Sequence, residues 1–134
     1  MTKEIKHRVT IGATPKRVFE ALIDEKKHAA FTSAPAKIGR KAGSAFRCYG
    51  TYITGITLDV APGKHIVQAW RSQGWPKGTY SIVTFALSKM AGGKTRLSFT
   101  QTGVPAGDYA RKNAGWRTHY WEPLKAYLED HRAT

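Results

Sequence analysis

This 134-residue chain has one cysteine, Cys48, and only nine acidic residues. A single cysteine excludes an intramolecular disulfide and a metal site built from several cysteines. Stretches without a charged side chain reach about 11 residues, as over residues 78–88, whereas a spanning helix needs about 20. The first residues, MTKEIKHR, contain no apolar stretch that could serve as a signal peptide. We therefore expect a soluble, cytoplasmic protein with no membrane segment.

Carboxylates are scarce in the middle of the chain, where Asp59 is the only one between Cys48 and Gly107. A pair of carboxylates acting as acid and base is therefore excluded there. The histidines show no i, i+4 pair, and no glycine-rich phosphate loop is present. They are His7, His28, His65, His119 and His131. We predict no catalytic residue, no metal site and no cofactor, and we leave enzymatic activity open as a less favoured alternative.

Two single residues have a chemical and a structural interpretation. His7 alternates with Ile5 and Val9 along a predicted strand, which favours a hydrogen-bonded interior histidine over a catalytic one. Cys48 follows Arg47, but neighbours in a strand point to opposite faces, so the cation does not activate the thiol. A packed thiol is the default interpretation.

Positive charge is abundant: 22 Lys and Arg residues give a net charge of +13. Residues 1–41 carry ten basic and four acidic side chains, residues 42–102 seven and one, and residues 103–134 five and four. No helix-turn-helix, zinc-finger or RNA-binding strand motif accompanies this charge. A solvated basic surface, or one that steers an acidic protein partner, is therefore favoured over a nucleic-acid site.

Hydrophobic periodicity predicts an α+β protein that forms a single domain over residues 1–134. Residues 3–11 alternate as a strand, and Thr14-Pro15 supplies an N-cap and a first helical position for a short helix. Residues 28–31 are predicted to form a second short helical turn. Five further strands are predicted at 45–48, 51–60, 64–71, 79–87 and 95–102. Their connections are too short for helical crossovers, so we expect an antiparallel sheet of about six strands.

A long C-terminal helix is predicted from about residue 113 to residue 130. Trp116, Tyr120, Leu124 and Leu128 recur every four residues and form one apolar stripe. Pro123 lies inside this pattern and predicts a kink, because proline removes one backbone hydrogen bond.

Aromatic residues are placed to meet between this helix and the sheet. Strand alternation groups Tyr52, Ile56, Leu58 and Val60 on the face that would meet the helix. Two interpretations stay open, a filled core and an apolar ligand pocket. The candidate pocket residues are Phe19, Phe46, Tyr52, Trp70, Phe85, Phe99, Trp116 and Tyr120.

A separate candidate for binding a partner is the Trp75-Pro76-Lys77 segment. We predict that it forms an exposed hairpin tip, where an uncovered tryptophan is more readily explained by a protein contact than by packing.

Several segments also carry a family resemblance. The element order resembles the helix-grip fold of the START and pollen-allergen superfamily, a curved sheet wrapped around a long C-terminal helix. More specifically, the chain resembles the activator of the heat shock protein 90 ATPase (C-terminal domain). The resemblance rests on residues 31–36 (FTSAPA), 62–67 (PGKHIV), 70–71 (WR) with 75–78 (WPKG), 103–106 (GVPA), and 115–116 (GW) with Tyr120.

The resemblance implies a non-catalytic co-chaperone domain that binds a heat shock protein 90-type chaperone and modulates its ATPase. The full co-chaperone has a further N-terminal domain that docks on the chaperone, and we expect this chain, which starts at the first strand, to lack that anchor. The alternative is a carrier or sensor for a small hydrophobic ligand, as in other members of the superfamily. Fold is implied more firmly than role.

Overall fold

The computed structural model describes residues 2–130, which form one antiparallel sheet packed against helices. The α+β class and the helix-grip arrangement, a curved sheet around a long C-terminal helix, are confirmed. The strands are β1 Thr2–Ile11, β2 Ala36–Ile38, β3 Ala45–Cys48, β4 Ile53–Ala61, β5 His65–Ser72, β6 Ser81–Met90 and β7 Lys94–Pro105. The helices are α1 Pro15–Ile23, α2 Glu25–Thr32, α3 Tyr109–Trp116 and α4 Glu122–Asp130.

The sheet order is β1-β7-β6-β5-β4-β3-β2. Strands β2 to β7 follow one another as a meander, and β1 joins the far edge by pairing with β7, where Val9 lies opposite Leu97. The described sheet has seven strands, whereas the sequence predicts about six. The additional strand, β2, is three residues long after Pro35, too short to show an alternating pattern.

The first short helix begins where the sequence predicts, whereas the second begins at Glu25, three residues before the predicted start at His28. The Thr14 side chain accepts a hydrogen bond from the Arg17 N–H, and Pro15 takes the first helical position. Asp24 ends α1 and also caps α2, because its carboxylate accepts from the N–H groups of Lys26 and Lys27, both at 3.0 Å. One carboxylate therefore sets the sharp turn between the helices.

The C-terminal helix is continuous over residues 109–130, but a π-helical turn, Arg117–Trp121, separates α3 from α4. It begins four residues earlier than predicted. The irregular turn lies just before Pro123, which has no N–H to donate to the carbonyl of His119. The Tyr49 hydroxyl donates to that carbonyl instead, at 2.7 Å. None of the helices in the described range is long and apolar enough to cross a membrane.

Strand β4 contains a bulge between Thr57 and Asp59 that changes which residues face the helices. Thr57 is fully buried, whereas Ile56 and Leu58 are 44% and 45% exposed. The predicted grouping of Ile56 and Leu58 with Val60 on the inner face is wrong, because the extra residue shifts the alternation. Only Val60 packs against the core.

Candidate functional site

A cavity of about 380 Å³ lies between the inner face of the sheet and the C-terminal helix. Its walls are mostly aromatic, and its basic residues, on α3 and the π-helical turn, are Arg111, Lys112 and His119. The full lining is Tyr49, Tyr52, Ile53, Trp70, Arg111, Lys112, Gly115, Trp116, His119 and Tyr120.

The predicted pocket residues separate into two groups. Four of them, Tyr52, Trp70, Trp116 and Tyr120, line the cavity. Phe19, Phe46, Phe85 and Phe99 are buried in the core, each at most 4% exposed, and do not line it. Both interpretations left open by the sequence therefore describe part of the interior, and a ligand role for the cavity stays a prediction.

The apolar floor of the cavity is held by a buried polar network. Trp116 Nε1 donates to Gln101 Oε1 at 2.8 Å, and Gln101 Nε2 donates to Ser81 Oγ at 2.9 Å. Ser81 Oγ donates to the carbonyl of Trp70 at 3.0 Å. Since Gln101 and Ser81 are fully buried, this chain of bonds ties the Trp116 indole to the backbone of Trp70.

Lys112 is a buried cation at the rim, only 7% exposed. Its Nζ lies 3.2 Å from Asp108 Oδ2 and 3.0 Å from the Tyr52 hydroxyl. Arg111 Nε lies 3.4 Å from the other oxygen of the same carboxylate. Asp108 also accepts from Trp75 Nε1 at 2.8 Å. The Asp108 carboxylate therefore forms ion pairs with two cations and accepts a hydrogen bond from an indole.

Behind the cavity, Tyr120 contacts a buried histidine and the cysteine. The Tyr120 hydroxyl lies 2.9 Å from His28 Nε2, and Cys48 Sγ lies 3.8 Å from the same nitrogen. Burial lowers the pKa of His28 to about 4 and raises the pKa of the Cys48 thiol to about 12. At neutral pH the group holds a neutral imidazole and a thiol, which gives no activated nucleophile.

His7 is held on both ring nitrogens. Trp121 Nε1 donates to His7 Nδ1 at 2.8 Å, so Nε2 carries the proton and donates to Asn113 Oδ1 at 2.7 Å. The hydrogen-bonded interpretation of His7 is therefore supported, and the residue ties β1 to the C-terminal helix. Among residues 2–130, no three His, Cys, Asp or Glu side chains could together hold a metal ion.

The expectation of an exposed Trp75 is wrong. Trp75 is 6% exposed, packs edge-on against Trp70 with ring centroids 5.9 Å apart, and donates to Asp108. The tryptophan is thereby folded back onto the cavity wall. Pro76 and Lys77 are exposed, and their role in binding a partner stays a prediction.

The outer face of the sheet carries an apolar patch that the sequence analysis missed. Ile56 pairs with Ala69, and Ala69 pairs with Ile82, so the three form one row across β4, β5 and β6. A shallow depression beside this row also brings Lys37 and Arg47 near exposed Tyr80. We call this surface the outer patch; its residues are Lys37, Arg47, Ile56, Leu58, Ala69, Tyr80 and Ile82.

Several cavity residues were also absent from the predicted site: Tyr49, Ile53, Arg111, Lys112, Gly115 and His119. Gly115 belongs to the GW segment and precedes Trp116, so its place in the helix could have been found from the sequence. Arg111 and Lys112 lie before the predicted helix start, and no local pattern marks a buried lysine.

Comparison with known sequences decides the family. The sequence model of the family described as "Activator of Hsp90 ATPase homolog 1-like protein" matches residues 12–129. The chain belongs to this family. The match includes the whole C-terminal helix up to Glu129 and every residue that lines the cavity.

Two curated relatives carry the same activator name. The human "Activator of 90 kDa heat shock protein ATPase homolog 1" is 30% identical over 124 residues, which cover 92% of this chain and 36% of the relative. The Dictyostelium discoideum homolog is 29% identical and is covered to 32%. The chain thus spans about a third of the length of these curated relatives.

A solved structure of similar fold covers nearly the whole chain. It is described as an HSP90 activator from Plasmodium falciparum and is 23% identical. The match covers 96% of each chain with a TM-score of 0.86. At this identity the likeness establishes the fold alone.

Proposed function

We propose that this chain binds a heat shock protein 90-type chaperone and modulates its ATPase as a non-catalytic, cytoplasmic domain. The observation that carries the proposal is the family match over residues 12–129, together with relatives named as activators of that ATPase. We further propose that residues 1–134 act as one domain. The ATP chemistry would belong entirely to the partner.

The outer patch supports a protein contact and indicates the charge of the partner. Ile56, Leu58, Tyr80 and Ile82 are 39–50% exposed, which is unusual for a group of large apolar side chains on one face. Arg47 and Lys37 border them, and no carboxylate lines the depression they share. An acidic, partly apolar surface of the chaperone fits this arrangement, with charge contributing mainly to association rate and orientation.

The test is to add the purified chain to the cognate chaperone and measure both binding and ATP turnover. We expect stimulated turnover and binding that weakens as salt is raised. Arg47→Glu should weaken binding about tenfold, because it puts a negative charge at the patch. Lys26→Glu is the matched control, since it makes the same change of charge at an exposed position of α2, and it should bind within about twofold of the native chain.

Two outcomes would count against the proposal in different ways. Absence of stimulation together with absence of binding at low salt would reject the chaperone function. Normal binding by Arg47→Glu would keep the function and reject the outer patch as its surface.

A second function, binding of a small apolar ligand, is favoured by the cavity. Its volume of about 380 Å³ is at the small end of the range of about 300–1,000 Å³ that is usual for ligand sites. Trp70, Trp116 and Tyr120 give it the aromatic walls on which such ligands pack. The two functions use different faces of the sheet and do not exclude each other.

A further inference from the structure

The charge balance around the cavity is uneven. Arg111 and Lys112 line it and share the single carboxylate of Asp108, and no acidic side chain belongs to the lining. Asp108 is further engaged by the indole N–H of Trp75. The rim therefore keeps positive charge that its own carboxylate does not neutralise.

Lys112 is positioned to bind an anionic group of a ligand. An ammonium group has three N–H donors. In the part of the chain that the structure describes, Lys112 Nζ has two oxygen partners, Asp108 Oδ2 and the Tyr52 hydroxyl, which leaves one donor for a further acceptor. Since the side chain is buried, a carboxylate reaching it would form a charge-assisted bond that water screens poorly.

The aromatic side chains that line the rest of the cavity favour a ligand that contains an aromatic ring. Trp116 and Trp70 lie with their ring centroids 5.5 Å apart, and Trp116 and Tyr120 with theirs 4.6 Å apart. The network through Gln101 holds the Trp116 indole before any ligand arrives, and the Trp70 ring packs edge-on against Trp75. A rigid aromatic wall costs little ordering on binding and favours an aromatic guest that can stack in an offset or edge-on arrangement.

We propose that the cavity binds a small aromatic carboxylic acid, with its ring against Trp70, Trp116 and Tyr120 and its carboxylate on Lys112. The proposal rests on the second function above and specifies its ligand class. Arg111, exposed at the mouth, adds attraction for the anion during entry, while Lys112 makes the bond in the bound state.

The test compares two probes of nearly equal shape, 2-naphthoate and the neutral 2-naphthamide, by calorimetric titration of the full chain at neutral pH. We expect the native protein to bind 2-naphthoate about tenfold or more tightly than the amide. Lys112→Met, which keeps the length of the side chain, should abolish this preference, so that the two probes bind with equal affinity. Lys89→Met, an exposed lysine outside the cavity lining, is the matched control and should bind both probes as the native chain does.

Lys112→Arg guards against a folding defect, because it retains the cation and should retain the preference for naphthoate. Equal affinity of the two probes for the native chain would overturn the anionic ligand class while leaving ligand binding intact. A naphthoate preference that survives in folded Lys112→Met would overturn the role of Lys112. If neither probe binds the native chain at millimolar concentration, both this inference and the ligand function fail, whereas the chaperone proposal is unaffected.

Discussion

At the scale of single residues, burial decides what His28 can do. Its imidazole is 3% exposed, Nε2 faces the Tyr120 hydroxyl and Cys48, and Nδ1 has no partner among the described residues. In these buried surroundings the neutral imidazole is stable, whereas the charged imidazolium would lack the solvation that it has in water. Burial therefore lowers the pKa of His28 to about 4, so that the folded protein keeps this side chain neutral at higher proton concentrations than the unfolded chain does.

This lowered pKa predicts a loss of stability in mild acid. The unfolded chain protonates His28 near pH 6.5, whereas the folded chain does so only near pH 4. As pH falls through this interval the unfolded state binds more protons, so the free energy of unfolding decreases, by on the order of 3 kcal/mol in total. Above pH 6.5 and below pH 4 this contribution no longer changes with pH.

Chemical denaturation of the native chain and of His28→Gln between pH 7.5 and pH 4 would measure this decrease in the free energy of unfolding. The difference between the two pH profiles should carry the predicted loss, because other groups titrate alike in both proteins. Gln73→Asn, which alters an exposed side chain that does not titrate, should follow the native profile. Parallel profiles for the native chain and His28→Gln would show that the imidazole does not resist protonation.

At the scale of elements, Tyr49, which follows strand β3, stabilises the C-terminal helix where Pro123 removes a backbone hydrogen bond. Pro123 cannot donate to the carbonyl of His119, and the Tyr49 hydroxyl does so instead at 2.7 Å. The Tyr49 ring also packs edge-on against Tyr120, with centroids 6.2 Å apart. The residue thus compensates the proline and closes one side of the cavity.

Tyr49→Phe should therefore lower the free energy of unfolding by about 0.5–1.5 kcal/mol, since the ring is kept and one hydrogen bond is lost. The cost should shrink in a Pro123→Ala background, where residue 123 regains an N–H that can reach the His119 carbonyl. Urea denaturation of the four proteins gives this coupling as a double-mutant cycle. Additive effects of the two substitutions would mean that the tyrosine does not compensate the proline.

The elements also show what the sequence could reveal. Thr14-Pro15 and the four-residue spacing of Trp116 and Tyr120 are local signals, so both the first helix and the helical wall of the cavity could be predicted. The short β2 and the bulge after Thr57 depend on neighbouring strands, which no local period encodes. Pro123 indicates where the C-terminal helix is irregular, but not that the irregularity is a π-helical turn. Lys112 escaped prediction for the same reason as β2: Asp108 and Tyr52 bury it only once the chain has folded.

At the scale of the whole molecule, the net charge of +13 destabilises the fold and also favours binding to an acidic partner. Ion pairs neutralise little of it, because the described pairs involve four of the 22 basic side chains, and two of these, Arg111 and Lys112, share one carboxylate. Mutual repulsion of the remaining cations destabilises the compact state. The same repulsion opposes contact between two copies of the chain, which favours an acidic partner for the outer patch.

Screening should therefore stabilise the protein. Raising NaCl from about 10 mM to about 150 mM shortens the Debye length from about 30 Å to about 8 Å, and we expect the thermal midpoint to rise by a few degrees. Replacing exposed Lys26, Lys41 and Lys94 by Glu lowers the net charge from +13 to +7 and should reduce that rise, while raising the midpoint at low salt. Calorimetric melting of both proteins at both salt concentrations measures this. An equal salt response would mean that the excess charge is spaced widely enough not to destabilise the fold.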